Sequence, residues 1–186
     1  MTKTFDSNHA PVFPQGVFII GTYDKNGIPN AMNAAWGFQS DYGEITFSLA
    51  KHKTTENLKE TGGFTVAFGT VDTMEICDYF GIESGNKVNK IEAAGVHVHK
   101  APNVNAPVIE EFPVIMECRV KSWNEETGIL IGEIVDEIVD EKYLDEEGKI
   151  DFDKVNPIIF DIATGAYRST GPVVGKAFKA GIRYRK

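Results

Sequence analysis

In "EITFSLA", Ile45, Phe47 and Leu49 alternate with Thr46, Ser48 and Ala50, and Phe64, Val66 and Phe68 repeat that period after Gly62-Gly63. A period of two sends successive side chains to opposite faces of a strand. From Gly16, "GVFIIGTYDKNGIPNAMNAAW" is a β-rich run broken at Asp24-Lys25-Asn26-Gly27, and Asn-Gly at such a break predicts an antiparallel hairpin. Further on, Val114, Met116, Cys118 and Val120 alternate with Ile115, Glu117, Arg119 and Lys121, and "GILIGEIVDEIVD" follows a turn at Asn124–Gly128. That pair predicts a second, longer hairpin. The acidic "DEEGKIDFDK" reads as a solvated loop and Pro157–Ile162 as another strand, before the Gly-rich "TGAYRSTGPVVGKAFKAG".

Helical signals are short and lie between the strands. In "TTENLKETGG", Thr54 or Thr55 is placed to cap a helix of about two turns, with Glu56 near its positive end and Gly62 as its left-handed stop. Asp72 and Glu75 have the spacing of a capping box, and Gly81 is the expected stop of that helix. A third helix carries Val88 and Ile91 and ends at Gly95. Many strands, tight turns and few helices predict one mainly antiparallel β-barrel or sandwich domain with helices packed on its sheet. No Gly-x-Gly-x-x-Gly follows a strand, which argues against a Rossmann site.

Composition narrows the function. The chain has 186 residues, 42% of them hydrophobic and 25% charged, as expected of an ordinary folded domain. Its 27 acidic residues outnumber its 19 Lys and Arg, giving a net charge of -8, so most of its surface repels a polyanion such as nucleic acid. The basic stretch Arg183–Lys186 reads as a solvated tail. Cys77 and Cys118 stand far apart with no CxxC neighbour, which predicts reduced, buried thiols rather than a disulfide framework. The first residues, "MTKTFDSNHAPVFPQG", contain no apolar leader core, and no run reaches the ~18 apolar residues of a membrane span. The expectation is a cytoplasmic protein.

Two segments could carry chemistry. "SLAKHKTTENL" delivers Ser48 from a strand, then Lys51, Lys53 and the hydroxyls of Thr54 and Thr55 at a helix start, a combination suited to an anion because orphan N–H groups and cations converge there. A plain helix cap preceded by solvent-exposed lysines is the competing account. "NAMNAAWGFQSD" is rich in small residues around Asn33 and Trp36, which lets a flat ligand approach the backbone; tight packing beside a core tryptophan explains it equally well. His97 and His99 lie two apart on an expected strand, but zinc needs three or four donors, so no metal is assigned. Neither a Gly-x-Ser-x-Gly elbow nor a His-Glu-x-x-His helix occurs.

Taken in order, "DKNGIPNAMNAAWGFQSD", "ITFSLAKHKTTENLKETGGFTVAF", "YFGIESGNKVNKIEAAGV", "APVIEEFPVIMECRV" and "GPVVGKAF" resemble the flavin reductase-like, FMN-binding split-barrel family, especially its flavoredoxin-like members. The resemblance extends from about Pro14 to about Gly181. It implies a Greek-key-type antiparallel split barrel forming a homodimer, with FMN in a groove at or near the subunit interface. It also implies that Asn33, Ala34, Ala35 and Trp36 lie along the isoalloxazine ring, that Ser48, Leu49, Ala50, Lys51, Lys53, Thr54 and Thr55 contact the ribityl chain and phosphate, and that Ser84 and Lys90 approach the same site. The implied chemistry is oxidoreduction from NADH or NADPH through FMN to a flavin, ferric or protein acceptor, with no catalytic side chain required. Two alternatives are a flavoredoxin-type carrier reduced by a partner protein and a non-catalytic flavin-binding or interaction protein.

Overall fold

The computed structural model describes Thr2 and residues 13–185; apart from Thr2 and Phe13 to Gly16, the stretch read above as lacking a leader core lies outside them. Among the described residues twelve strands run in chain order: β1 (Gln15–Gly16), β2 (Phe18–Tyr23), β3 (Pro29–Ala34), β4 (Gly37–Asp41), β5 (Glu44–Ser48), β6 (Gly63–Phe68), β7 (Val98–Lys100), β8 (Pro107–Ile109), β9 (Val114–Asn124), β10 (Ile129–Val139), β11 (Ile158–Asp161) and β12 (Ala166–Ser169). The described α-helices are α1 (Lys53–Thr61), α2 (Met74–Ile82), α3 (Lys90–Ala94) and α4 (Phe152–Val155), with single 3-10 turns at Glu141–Tyr143 and Ile182–Tyr184. No described helix is long and apolar enough to cross a membrane.

Seven strands form one antiparallel sheet in the order β3-β2-β6-β9-β10-β5-β4. Laid flat, its edge strands β3 and β4 would stand six spacings, about 29 Å, apart. Only Ala35 and Trp36 connect them, and three Cα steps reach at most about 11 Å. The sheet therefore has to curl until its two edges nearly meet, leaving a seam spanned by a two-residue tether. The β9–β10 hairpin helps the curl with register shifts at Ile131/Gly132 and Ile134/Asp136, since bulges bend and twist a strand pair. Gly132 leaves room for the Phe64 ring, which a Cβ there would strike. This half-barrel with short surface helices agrees with the mainly β Greek-key-type expectation.

Burial explains why several strands are apolar on both faces. Phe18, Ile20, Ile45, Phe47, Phe64, Val66 and Leu130 fill the inside of the curl, whereas Val17, Ile19, Ala67 and Ile115 pack outward beneath Cys77, Phe80 and Ile91 of α2 and α3. The Asp24–Gly27 turn is as expected: Asp24 accepts from the N–H groups of Asn26 and Ile28, and Gly27 has φ +79°. Those bonds, that to Ile28 foremost, hold the Asp24 carboxyl below its ordinary pKa.

Several local expectations need correction. The N-cap of α1 is His52, not Thr54 or Thr55. The Thr55 hydroxyl instead accepts from the His52 N–H and donates to the His52 carbonyl, both at 2.8 Å. α2 is capped at Thr73 with no Asp72–Glu75 box; the Thr70 and Thr73 hydroxyls bond each other and each accepts from the other residue's N–H. That helix also passes through Gly81 and stops at Ile82; glycine is merely permissive there, and its φ is not left-handed. Val88 falls outside α3, and His97 immediately precedes β7. The acidic loop contains α4 and a bridge from Leu144 to Ile150, and the Gly-rich stretch contains β12. Gly62 and Gly95 close their helices in the left-handed conformation as expected.

Candidate functional site: a two-chamber groove at the seam

The tether, the end of β3 and the end of β5 converge at the seam, and a cavity of about 350 Å³ opens there. Asn33, Ala34, Ala35 and Trp36 form one wall, and Ser48, Leu49, Ala50 and His52 form another. Gly81 of α2, Phe160 of β11 and Tyr167 of β12 complete it. The Ser48 N–H donates to the Trp36 carbonyl at 2.8 Å and the Leu49 N–H to the Gly128 carbonyl at 2.8 Å, so backbone bonds fix both walls. Asn33 donates to the Cys77 carbonyl at 3.0 Å, and Tyr167 donates to Asp78 at 3.0 Å. Burial and the bond to Asp78 push the Tyr167 hydroxyl up to about 12; it stays protonated at physiological pH.

Met32, Asn33, His52 and Gly81 also line a second cavity of about 370 Å³, so the two chambers form one groove. The second chamber collects Lys51, Lys53, Thr54, Ser84 and Lys90. Thr54 is buried and accepts from Asn30 Nδ2 at 2.8 Å, which leaves its own proton free to donate. Asn30 is seated against the backbone of Gly85, where no Cβ would fit; the α2–α3 loop and the start of α1 thus brace each other. Lys90 is 3% exposed and donates to the Phe80 carbonyl at 3.0 Å. Burial pulls its ammonium down to about 8 against an opposing pull from Glu83.

The structure thus brings twelve of the thirteen sequence-derived site residues to this groove. Thr55 alone stands apart: its hydroxyl is committed to His52, and it opens on a neighbouring cavity with Lys59 and Trp123. Sequence reasoning missed Met32, His52, Gly81, Phe160 and Tyr167. Phe160 and Tyr167 arrive from a separate three-stranded sheet, β1-β11-β12, and no local motif announces a residue delivered from over a hundred positions away. His52 was legible as the histidine between two lysines but carried no assigned task. Elsewhere, His97 pairs with Glu111 and His99 with Glu110 on the surface. Cys77 and Cys118 are buried free thiols pushed up by desolvation to about 11 and about 12.

An elongated groove with small-residue, aromatic walls at one end and cations with hydroxyls at the other defines a split barrel built for a flat, anionic cofactor. A flavin-reductase-like domain model matches residues 10–160, and the chain belongs to that family. It is similar to the flavoredoxin of Desulfovibrio vulgaris (Miyazaki F), with 34% identity, a TM-score of 0.92 and coverage of 97% of this chain and 100% of that one. It is also similar to a flavoredoxin from Methanosarcina acetivorans, with 28% identity, a TM-score of 0.89 and coverage of 99% and 100%. An uncharacterized Archaeoglobus fulgidus protein is 31% identical over 113 residues, which span 58% of this chain and 63% of that relative. FMN fits the donor set, since its ring needs an open, small-walled slot and its phosphate needs the cations and hydroxyls found in the second chamber.

Gly81 forms the waist between the chambers, where an added Cβ would sit 3.4 Å from the Asn33 Cβ. A Gly81→Ala substitution therefore has two opposed effects. Alanine favours the helix by about 0.5–1 kcal/mol, whereas the narrowed waist weakens FMN binding several-fold. Thermal melting of the apoprotein and FMN titration of the same sample read the two signs separately.

Proposed function

We propose that this chain is an FMN-dependent oxidoreductase that takes electrons from NADH or NADPH and passes them to a flavin, a ferric complex or a protein acceptor. The observation that carries the reading is the continuous groove, small-walled at the ring end and cationic at the other. Bound FMN supplies the redox chemistry. The chain's residues supply placement: Ala34, Ala35 and Trp36 border the ring, and Asn33, held by the Cys77 carbonyl, offers a fixed amide to its edge. Ser48, Leu49 and Ala50 line the passage between chambers. Lys51, Lys53, Thr54, Ser84 and Lys90 hold the phosphate, while Thr55 stiffens the turn that presents them.

Trp36 is 57% exposed at the mouth, so a nicotinamide has access to the ring. Anaerobic addition of NADH or NADPH to the FMN-loaded protein is expected to bleach the flavin absorbance within seconds to minutes; no bleaching with either rejects the donor assignment. The similarity to flavoredoxins and the acidic chain favour a second reading, an electron carrier reduced by a basic partner protein. Under that reading, reduction by the partner slows as salt is raised. A preparation that takes up no FMN would leave the third alternative, an interaction protein.

Lys90 gives the phosphate chamber a pH signature. An anion beside Lys90 favours its charged form, so FMN binding takes up a proton once the free ammonium begins to titrate near 8. FMN affinity is expected to fall as pH rises through that point, by about tenfold between pH 7.5 and 9. Titrations at several pH values check this, and the step disappears in Lys90→Met.

A further inference from the structure

Asn33 ends a chain of hydrogen bonds whose direction is decided elsewhere in the fold. Its Nδ2 donates to the Cys77 carbonyl at 3.0 Å. A carbonyl offers lone pairs only, so the nitrogen of the amide, not its oxygen, has to face α2. Gly81, one turn further along that helix, leaves the nitrogen room: a Cβ there would lie 3.6 Å from it.

The Tyr167 hydroxyl, brought by β12, donates to Asp78 Oδ1 at 3.0 Å. A carboxylate accepts and does not donate, which commits the one proton of that hydroxyl and leaves the Tyr167 oxygen to accept. Asn33 supplies the donor. Its side chain opposes the upward shift of the Tyr167 hydroxyl, as a group donating to that oxygen does.

Both protons of the Asn33 amide are thus committed on the α2 side of the groove, and among the described residues its Oδ1 bonds nothing. The described side-chain atoms that are buried without a partner are Asn57 Oδ1 and Glu111 Oε2, so Asn33 Oδ1 opens on the groove, which that residue lines in both chambers. An unrestrained asparagine turns its amide over and presents either atom. Here acceptors stand at both ends of the chain, Asp78 at one and the Cys77 carbonyl at the other. Turning the amide would set lone pairs against each other, and bonds linked head to tail reinforce the direction they share.

We propose that Asp78 and Tyr167 are positioning residues that lock Asn33 with its Oδ1 toward the ring chamber, and that this acceptor selects a flavin through the N–H at N3, the one N–H of the oxidised ring. The lock belongs to the chain by itself; its partner on the ring rests on the FMN reading. The three side chains come from β3, α2 and β12, so the selectivity of the ring chamber depends on how the three-stranded sheet seats Tyr167 against α2.

The probe is 3-methyl-FMN, in which a methyl group replaces the N3 hydrogen. By fluorescence quenching the parent chain is expected to bind FMN about tenfold more tightly than the methylated flavin, because an acceptor left without its donor is costly. In Asn33→Leu, which removes the acceptor without opening space, the ratio falls to about twofold or below. Tyr167→Phe and Asp78→Leu lower it to about threefold. Each protein is compared with itself on two ligands, so a general loss of affinity leaves the ratio unchanged. In the apoprotein, the Asn33 amide protons, identified by their loss in Asn33→Leu, are expected to exchange slowly with solvent and at least about tenfold faster in Tyr167→Phe. Equal affinity of the parent for the two flavins, or an undiminished ratio in Asn33→Leu, overturns the N3 contact. An undiminished ratio in Tyr167→Phe together with unaltered exchange overturns the lock. A parent that takes up neither flavin removes the FMN reading and the N3 contact with it, while amide exchange still decides the lock.

Discussion

A Lys53→Ala/Thr54→Ala double variant is expected to bind FMN about 100- to 1,000-fold more weakly than the parent chain. A charge-assisted bond from a lysine contributes about 1.5–3 kcal/mol and a hydroxyl about 1 kcal/mol, and each 1.4 kcal/mol is a factor of ten. Thr54 does more than donate. It also accepts from Asn30, which packs on the backbone of Gly85, so its loss frees two segments that frame the second chamber. Quenching of FMN fluorescence on titration measures the affinity. A double variant with unaltered affinity would remove the phosphate from this chamber.

The largest loss of stability is expected from Glu117→Leu. Glu117 is fully buried, and its carboxylate accepts from the Asn103 N–H at 2.7 Å, the Val104 N–H at 3.1 Å and the Asn103 side chain at 3.2 Å. These bonds clamp the loop before β8 onto β9. Leucine has a similar volume, so the cost comes from orphaned donors, about 1–3 kcal/mol each. The sum, about 3–5 kcal/mol, corresponds to a fall in melting temperature of about 10 °C for a chain of this size. Scanning calorimetry on the apoprotein checks it; a shift below about 3 °C shows that water or a rearranged loop satisfies those donors.

The sequence was most readable where a short-range rule decides the outcome. The Asn26-Gly27 turn, the period of two in β5, and the glycines at 62 and 95 are local effects, and each appears as expected. The helix starts were less readable, because a cap depends on which bond forms. Thr55 was free to act as N-cap, but its hydroxyl reaches back to His52 and starts the helix earlier. Most of the groove followed from the ordered resemblance across the chain, since local features alone left both of its segments with structural explanations. Phe160 and Tyr167 were not readable at all. Their place depends on how a second, three-stranded sheet is set against the first, and neither periodicity nor spacing encodes that.

The Ala35–Trp36 tether sets a limit on how the chain can vary in length. At the Asp145–Gly148 turn, extra residues would lengthen a surface loop at little entropic cost. One residue added between Ala34 and Gly37 would let the two edges part by several ångströms and widen the cavity at the seam with them. A length change at this one joint thus alters the groove before it alters the fold.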